Sequence, residues 1–176
     1  PFVNLFTQEQ RKKGIMSFDE LLLLARNLLR DHADVRNALK KQYSTFLIDE
    51  FQDTDPRQGE ILFFLAEKPG NTASHWKDVQ LEQGRLFVVG DPKQSIYRFR
   101  GADMGAYDEF KQLMLAQGAL ELNLTNNFRS QQSLIENTNH LFSSLIVPDP
   151  FVQPAYVPLV ATRQSSQVQC EWVHLS

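Results

Sequence analysis

The adjacent carboxylates Asp49 and Glu50 follow directly on the apolar run Phe46-Leu47-Ile48. At the end of a strand, such a pair can divide the work of nucleoside triphosphate hydrolysis. Asp49 can hold magnesium through its water shell, and Glu50 can orient or deprotonate the attacking water. A solvated acidic turn uses the same two residues. A second apolar run, Leu86-Phe87-Val88-Val89, leads into a polar loop that contains Gln94. An uncharged amide there can bond to a γ-phosphate or to the attacking water and change partner after hydrolysis; it also suits a turn. Just beyond, Tyr97 and Phe99 alternate with Arg98 and Arg100. A locally extended chain would put the two rings on one side and the two guanidinium groups on the other. Such an aromatic face can stack unpaired bases whatever their identity, worth ~1–3 kcal/mol per base, while a pair of core aromatics would read the same way. Arg129, far along the chain, offers a guanidinium fork that stabilises charge building on a transferring phosphoryl group or, more simply, a surface salt bridge.

The charge distribution fits this division. Asp49 to Glu60 holds five acids and one base, whereas Arg85 to Gly101 holds four bases and one acid. One patch suits a metal cation and the other suits phosphates. The net charge of −3 excludes a basic module that grips DNA over a whole face by counterion release, so any DNA contact has to be local. The single cysteine, Cys170, cannot form an internal disulfide, and His32, His75, His140 and His174 lie too far apart for a local zinc motif. No stretch reaches the eighteen consecutive apolar residues of a membrane helix, and Pro1-Phe2-Val3 does not begin a signal peptide. A cytoplasmic protein with no membrane partner is expected.

The elements that must position these residues can be read from periodicity and caps. Ser17 with Glu20 forms a capping-box signal, and Phe18, Leu21, Leu22, Ala25, Leu28 and Leu29 recur at helical spacing over about 18–30. A shorter helix over 34–42 follows, then a strand over 43–48 that stops at Asp49-Glu50. Asp55 before Pro56 marks the start of the next helix, with Ile61, Leu62 and Leu65 as its apolar face. Residues 68–84 are mostly polar and predict a surface excursion that can vary without harm to the core. Leu86 to Val89, between Gly84 and Gly90, predicts a short buried parallel strand. A helix over 106–117 is closed by Gly118, a third strand is expected over 120–124, and Ser130 is expected to cap a helix reaching Ile146. Pro148, Pro150, Pro154 and Pro158 mark an irregular crossing before a last strand over 168–175.

Several long strings carry a family resemblance. Asp49-Glu50-Phe51-Gln52-Asp53-Thr54-Asp55-Pro56-Arg57-Gln58 resembles motif II of the UvrD/Rep-like superfamily 1 helicases. Gly90-Asp91-Pro92-Lys93-Gln94-Ser95-Ile96-Tyr97-Arg98-Phe99-Arg100-Gly101-Ala102 resembles motif III, and Asn127-Phe128-Arg129-Ser130 resembles motif IV, in the expected order. Ser17-Phe18-Asp19-Glu20-Leu21-Leu22 is similar to the helix preceding motif II, and Tyr156 to Arg163 is closest to the RecB/AddA branch. The resemblance implies an α/β fold: part of a RecA-like P-loop NTPase motor domain with parallel strands over 1–118, and the start of a second RecA-like domain over 119–176. It implies ATP and Mg2+ as cofactors, single-stranded and duplex DNA as partners, 3′–5′ movement, and a second helicase-nuclease subunit. Asp49, Glu50, Gln94 and Arg129 would be catalytic, Phe128 would stack on the nucleotide base, and Tyr97, Phe99, Arg98 and Arg100 would meet DNA. Phe99 stands where many relatives carry Trp, and Phe128 where Tyr is common.

None of the eight glycines lies in a Gly-x-x-x-x-Gly-Lys-Ser/Thr pattern, so the backbone cradle for ATP phosphates is missing here. The expectation is therefore a fragment of an ATP-driven helicase that is inactive by itself. The alternative is a degenerate relative that keeps these motifs as a non-catalytic DNA-binding or interaction module. In the α/β sheet, the strands ending at Ile48 and Val89 should lie side by side and parallel, with one sheet edge bare.

Overall fold

The computed structural model describes residues 9, 12–97, 99, 101–149 and 153–164 of the chain. It divides into two compact units: Pro1–Asp91 with Ser95–Ala119, and Pro92–Gln94 with Leu120–Ser176. The last expected strand, over 168–175, lies outside the described residues.

The first unit is built from α1 (Phe18–Asp31), α2 (Ala33–Gln42), β1 (Phe46–Ile48), α3 (Pro56–Ala66), β2 (Leu86–Val88) and α4 (Met104–Ala116). α1 starts where its cap predicts, with the Ser17 hydroxyl accepting from Glu20 N–H. It lies along α3, to which Arg26 is tied by a 2.7 Å bond to Glu60. The start of α3 is fixed by a full capping box. Asp55 accepts from Arg57 N–H at 2.7 Å, Gln58 accepts from the Asp55 N–H at 3.0 Å, and Pro56 occupies the first turn.

β1 and β2 are parallel neighbours, pairing Phe46 with Leu86, Leu47 with Phe87 and Ile48 with Val88. Their common direction puts Asp49-Glu50 and Gly90-Asp91 at the same end of the sheet. β1 is shorter than its sequence suggests, because residues 43–45 do not join the ladder. The Arg85 guanidinium bonds instead to the Tyr43 carbonyl, as well as to the Lys40 carbonyl near the end of α2, so a side chain takes an acceptor that a longer strand would have used. Nor is β2 buried on both faces. Phe87 and its partner Leu47 stay exposed, while Ile48, Leu86 and Val88 pack against the core.

That core joins Leu29, Phe51, Phe63, Phe64, Trp76, Val79, Phe110 and Met114. Trp76 and Phe110 have ring centroids 4.4 Å apart, and Phe63 meets Trp76 edge-on at 5.7 Å. Helices α3 and α4 can approach closely because Gly59 has no Cβ: one there would sit 2.2 Å from a Phe110 ring carbon. The 68–84 segment is therefore no dispensable excursion. Its Trp76 and Val79 are buried, and its backbone covers a buried charge cluster. Lys40 donates to Glu67 at 3.1 Å and to the carbonyls of Lys68 and Asn71, while the second Glu67 oxygen accepts from Ala73 N–H at 2.7 Å. Arg36 donates to the Ala73 carbonyl at 2.9 Å; its Nε stands 3.6 Å from Glu67, an ion-pair distance beyond a hydrogen bond. Polar composition concealed a segment whose few apolar residues and carbonyls are used inside.

The second unit contains β3 (Asn126–Gln131), α5 (Gln132–Leu145) and β4 (Val160–Arg163). The expected strand over 120–124 is absent, and Leu120, Leu122 and Leu124 are exposed. The strand begins later, at Asn126, because β4 supplies a parallel partner there. Val160 N–H bonds to the Thr125 carbonyl at 2.9 Å, and the Thr162 hydroxyl donates to the Asn127 carbonyl at 2.8 Å. Ser130 lies in the strand and does not cap α5; Gln131 occupies that position. Asn139 on α5 fastens the returning chain, accepting from the Tyr156 hydroxyl and Leu159 N–H and donating to the Leu159 carbonyl. Among the described residues, no helix is long and apolar enough to cross a membrane.

Candidate nucleotide and DNA site

Asp49 and Glu50 are both exposed at the end of β1. The backbone there turns sharply: Glu50 has φ 53 and ψ 42, the left-handed conformation, and is the one described non-glycine residue with positive φ. A side chain other than Gly, Asn or Asp adopts it with strain and persists only where surrounding structure holds it. Asp49 contributes by accepting Glu50 N–H at 3.0 Å. The turn then enters a 3-10 helix over Phe51–Asp53, whose Phe51 ring is buried against Tyr107 and Phe110.

Gln52, which sequence reasoning did not single out, is central to this turn. Its side chain is buried and its two ends are both used. Nε2 donates to Glu50 Oε2 at 2.6 Å, and Oε1 accepts from Asp91 N–H at 2.9 Å. Its backbone carbonyl accepts from the Ser95 hydroxyl at 3.2 Å. One residue thus joins the end of β1 to the loop after β2. Gly90 makes this possible, since a Cβ there would lie 2.8 Å from Gln52 Oε1. The backbone adds another tie, from Phe51 N–H to the Val89 carbonyl at 2.9 Å. The available signal in the sequence was slight: a polar residue one step past an apolar one, in the turn after a strand.

Gln94 closes the one-turn 3-10 helix Pro92–Gln94 and is exposed. Tyr97 and Phe99 come together with ring centroids 5.8 Å apart and planes tilted by 52°. Phe99 is highly exposed, as a stacking surface requires. The chain is not extended here, however. Phe99 lies in a 3-10 turn and Ala102 N–H reaches back to the Tyr97 carbonyl, so the rings converge through a bend. Arg98 and Arg100 lie outside the described residues.

In the second unit, Phe128 and Arg129 are neighbours on β3 and both exposed. Asn127 shapes this point by accepting from the N–H groups of Arg129 and Ser130 at 3.0 and 2.8 Å. The Arg129 carbonyl accepts from Arg163 at 3.0 Å, which ties β3 to β4 and leaves the Arg129 side chain outward. Among the described residues, no group of three or more His, Cys, Asp or Glu side chains is placed to hold a metal by itself. The oxygen donors at the end of β1 suit a hard cation that keeps most of its water.

Residues 1–114 match the family model of the UvrD/REP helicase N-terminal domain. The chain is 35% identical to one of the subunits of the ATP-dependent helicase/nuclease of Listeria welshimeri, over 82% of this chain and 11% of that protein. It is 38% identical to the RecBCD enzyme subunit RecB of Chlamydia muridarum, over 85% of this chain and 13% of the relative. Against RecB of Buchnera aphidicola the identity is 32%, over 90% of this chain and 12% of the relative. The chain thus spans only about an eighth of the length of these proteins.

Proposed function

The chain belongs to the UvrD/REP helicase family, and from that premise we propose that it is part of the motor of an ATP-dependent 3′–5′ DNA helicase of the RecB/AddA branch, working in DNA repair and recombination. The observation that carries this reading is the shared end of the parallel β1–β2 pair, where Asp49-Glu50 and the 90–95 loop are joined through Gln52. Open α/β sheets bind their ligands at the C-terminal ends of their strands. The first unit is read as the later part of one RecA-like motor domain and residues 119–176 as the opening of the next.

Bound magnesium with ATP would supply charge neutralisation across the β- and γ-phosphates. Asp49 would hold the ion through water. Glu50 takes the proton of the attacking water, and Gln94 bonds to the γ-phosphate or to that water. Arg129 stabilises negative charge on the transferring group, and Phe128 offers its ring to adenine without the hydroxyl of a tyrosine. Tyr97 and Phe99 stack unpaired bases, Arg98 and Arg100 meet DNA, and Arg100 couples the DNA loop to the nucleotide site by ion pairs. These 176 residues contain no P-loop pattern, so the segment alone does not turn over ATP or unwind DNA. A second helicase-nuclease subunit is the expected protein partner.

The deciding experiment measures DNA-dependent ATP hydrolysis and nucleotide binding by the full-length enzyme, wild type against Glu50→Gln. Turnover that collapses while nucleotide still binds makes Glu50 the water-activating residue. Equal turnover in both proteins, or none in either, favours a non-catalytic DNA-binding or interaction module.

A further inference from the structure

We infer that Gln52 is a positioning residue that holds Glu50 in its working orientation and makes that orientation depend on the loop after β2. The inference rests on the reading of Glu50 as the group that activates water.

Glu50 projects from a left-handed residue at an exposed turn, so its backbone does little to hold the carboxylate in one direction. The buried Gln52 amide supplies the missing restraint. The 2.6 Å bond from its Nε2 fixes one carboxylate oxygen, and a carboxylate held by one oxygen can turn only about that bond. The amide is itself held, because Oε1 is committed to Asp91 N–H and the side chain is buried in the room that Gly90 leaves by lacking a Cβ. An amide flip would point a donor at a donor at Asp91 and an acceptor at Glu50. Movement of the 90–95 loop therefore drags Gln52, through Asp91 N–H and through the Ser95 hydroxyl on its carbonyl, and Gln52 drags Glu50. The rings of Tyr97 and Phe99 begin two residues beyond Ser95, so a strand seated on them would act on the same loop.

The test uses the full-length enzyme and four variants: Glu50→Gln, Gln52→Met, Gln52→Glu and the double variant Glu50→Gln/Gln52→Met. Met keeps the length and bulk of Gln without either hydrogen bond. Glu keeps the acceptor for Asp91 N–H while losing the donor to Glu50. The readouts are kcat, KM for ATP, nucleotide Kd and the fold-stimulation of turnover by single-stranded DNA. Both single Gln52 variants should lower stimulated kcat by about ten- to a hundredfold, the range for a lost hydrogen bond to a charged group, with Kd within about twofold of wild type. Stimulation by DNA should fall with kcat. In the Glu50→Gln background, Gln52→Met should change nothing further, since its effect runs through Glu50. Wild-type kcat in Gln52→Met, a Kd that weakens in step with kcat, or a full additional loss in the double variant would each overturn the inference and leave the role of Glu50 intact. Unchanged turnover in Glu50→Gln alone would overturn the role of Glu50, and the inference with it.

Discussion

Asp55 and Gly101 approach each other as only a glycine allows: a Cβ at Gly101 would sit 2.6 Å from Asp55 Oδ2. Gly101 also has φ +96, which L side chains rarely adopt. The cap of α3 and the end of the loop carrying Tyr97 and Phe99 are therefore packed together. Gly101→Ala should destabilise the protein by about 1–3 kcal/mol in urea unfolding, from backbone strain and the clash together. Asp55→Ala should lose about 1 kcal/mol through the cap. The double variant should lose less than the sum, because removing the Asp55 carboxylate relieves the clash.

Glu67 is fully buried and is the one carboxylate that Lys40 and Arg36 meet among the described residues. Glu67→Ala should cost about 3–5 kcal/mol, since it leaves two buried cations short of a counter-charge and frees the Ala73 N–H. Lys40→Met should cost less, because an apolar side chain of similar length replaces a cation and Arg36 remains beside Glu67. Equal losses in the two variants, measured by denaturant midpoint, would contradict this asymmetry.

Trp76→Ala should destabilise the first unit by about 3–5 kcal/mol. Its ring packs against both Phe63 and Phe110, although its segment reads as polar surface. Ser74→Ala, two residues away and exposed, should stay within about 0.5 kcal/mol. Similar effects at both positions would show that the segment packs less closely than the Trp76 contacts require.

Tyr97→Ala should weaken single-stranded DNA binding by the full-length enzyme by about 1–3 kcal/mol, with little dependence on base sequence. Phe99→Trp should strengthen it, since a larger ring extends an already exposed stacking surface. Fluorescence anisotropy with oligonucleotides of differing composition measures both effects. A loss confined to one base type would argue for edge recognition over stacking.

The parts legible from sequence were those decided locally. The Ser17 and Asp55 caps and the carboxylates at the end of β1 follow from neighbouring residues, while the parallel pairing of β1 and β2 was expected only from the α/β fold that the resemblance implies. What escaped was decided by partners far along the chain. Arg85 removes Tyr43 from β1 across 42 residues, and Val160 draws the strand away from Leu120–Leu124 to Asn126. Alternating leucines signal a strand only if a ladder partner is within reach, and here the partner lies next to Asn126. Gln52 escaped for a similar reason: its meaning depends on Gly90 and Asp91, which pattern alone does not bring beside it.

The left-handed backbone at Glu50 and the role proposed for its carboxylate set stability and turnover against each other at one position. Glycine adopts that geometry freely, so Glu50→Gly relieves strain of about 1 kcal/mol or more while leaving the buried Gln52 Nε2 without its carboxylate acceptor. A library screened for heat resistance alone would weigh that relief against the lost bond, whereas one screened for ATP turnover in the full-length protein would discard the substitution if Glu50 has the role proposed for it. Thermostable variants of the full-length protein should therefore be sought under a joint screen, with position 50 held fixed from the start.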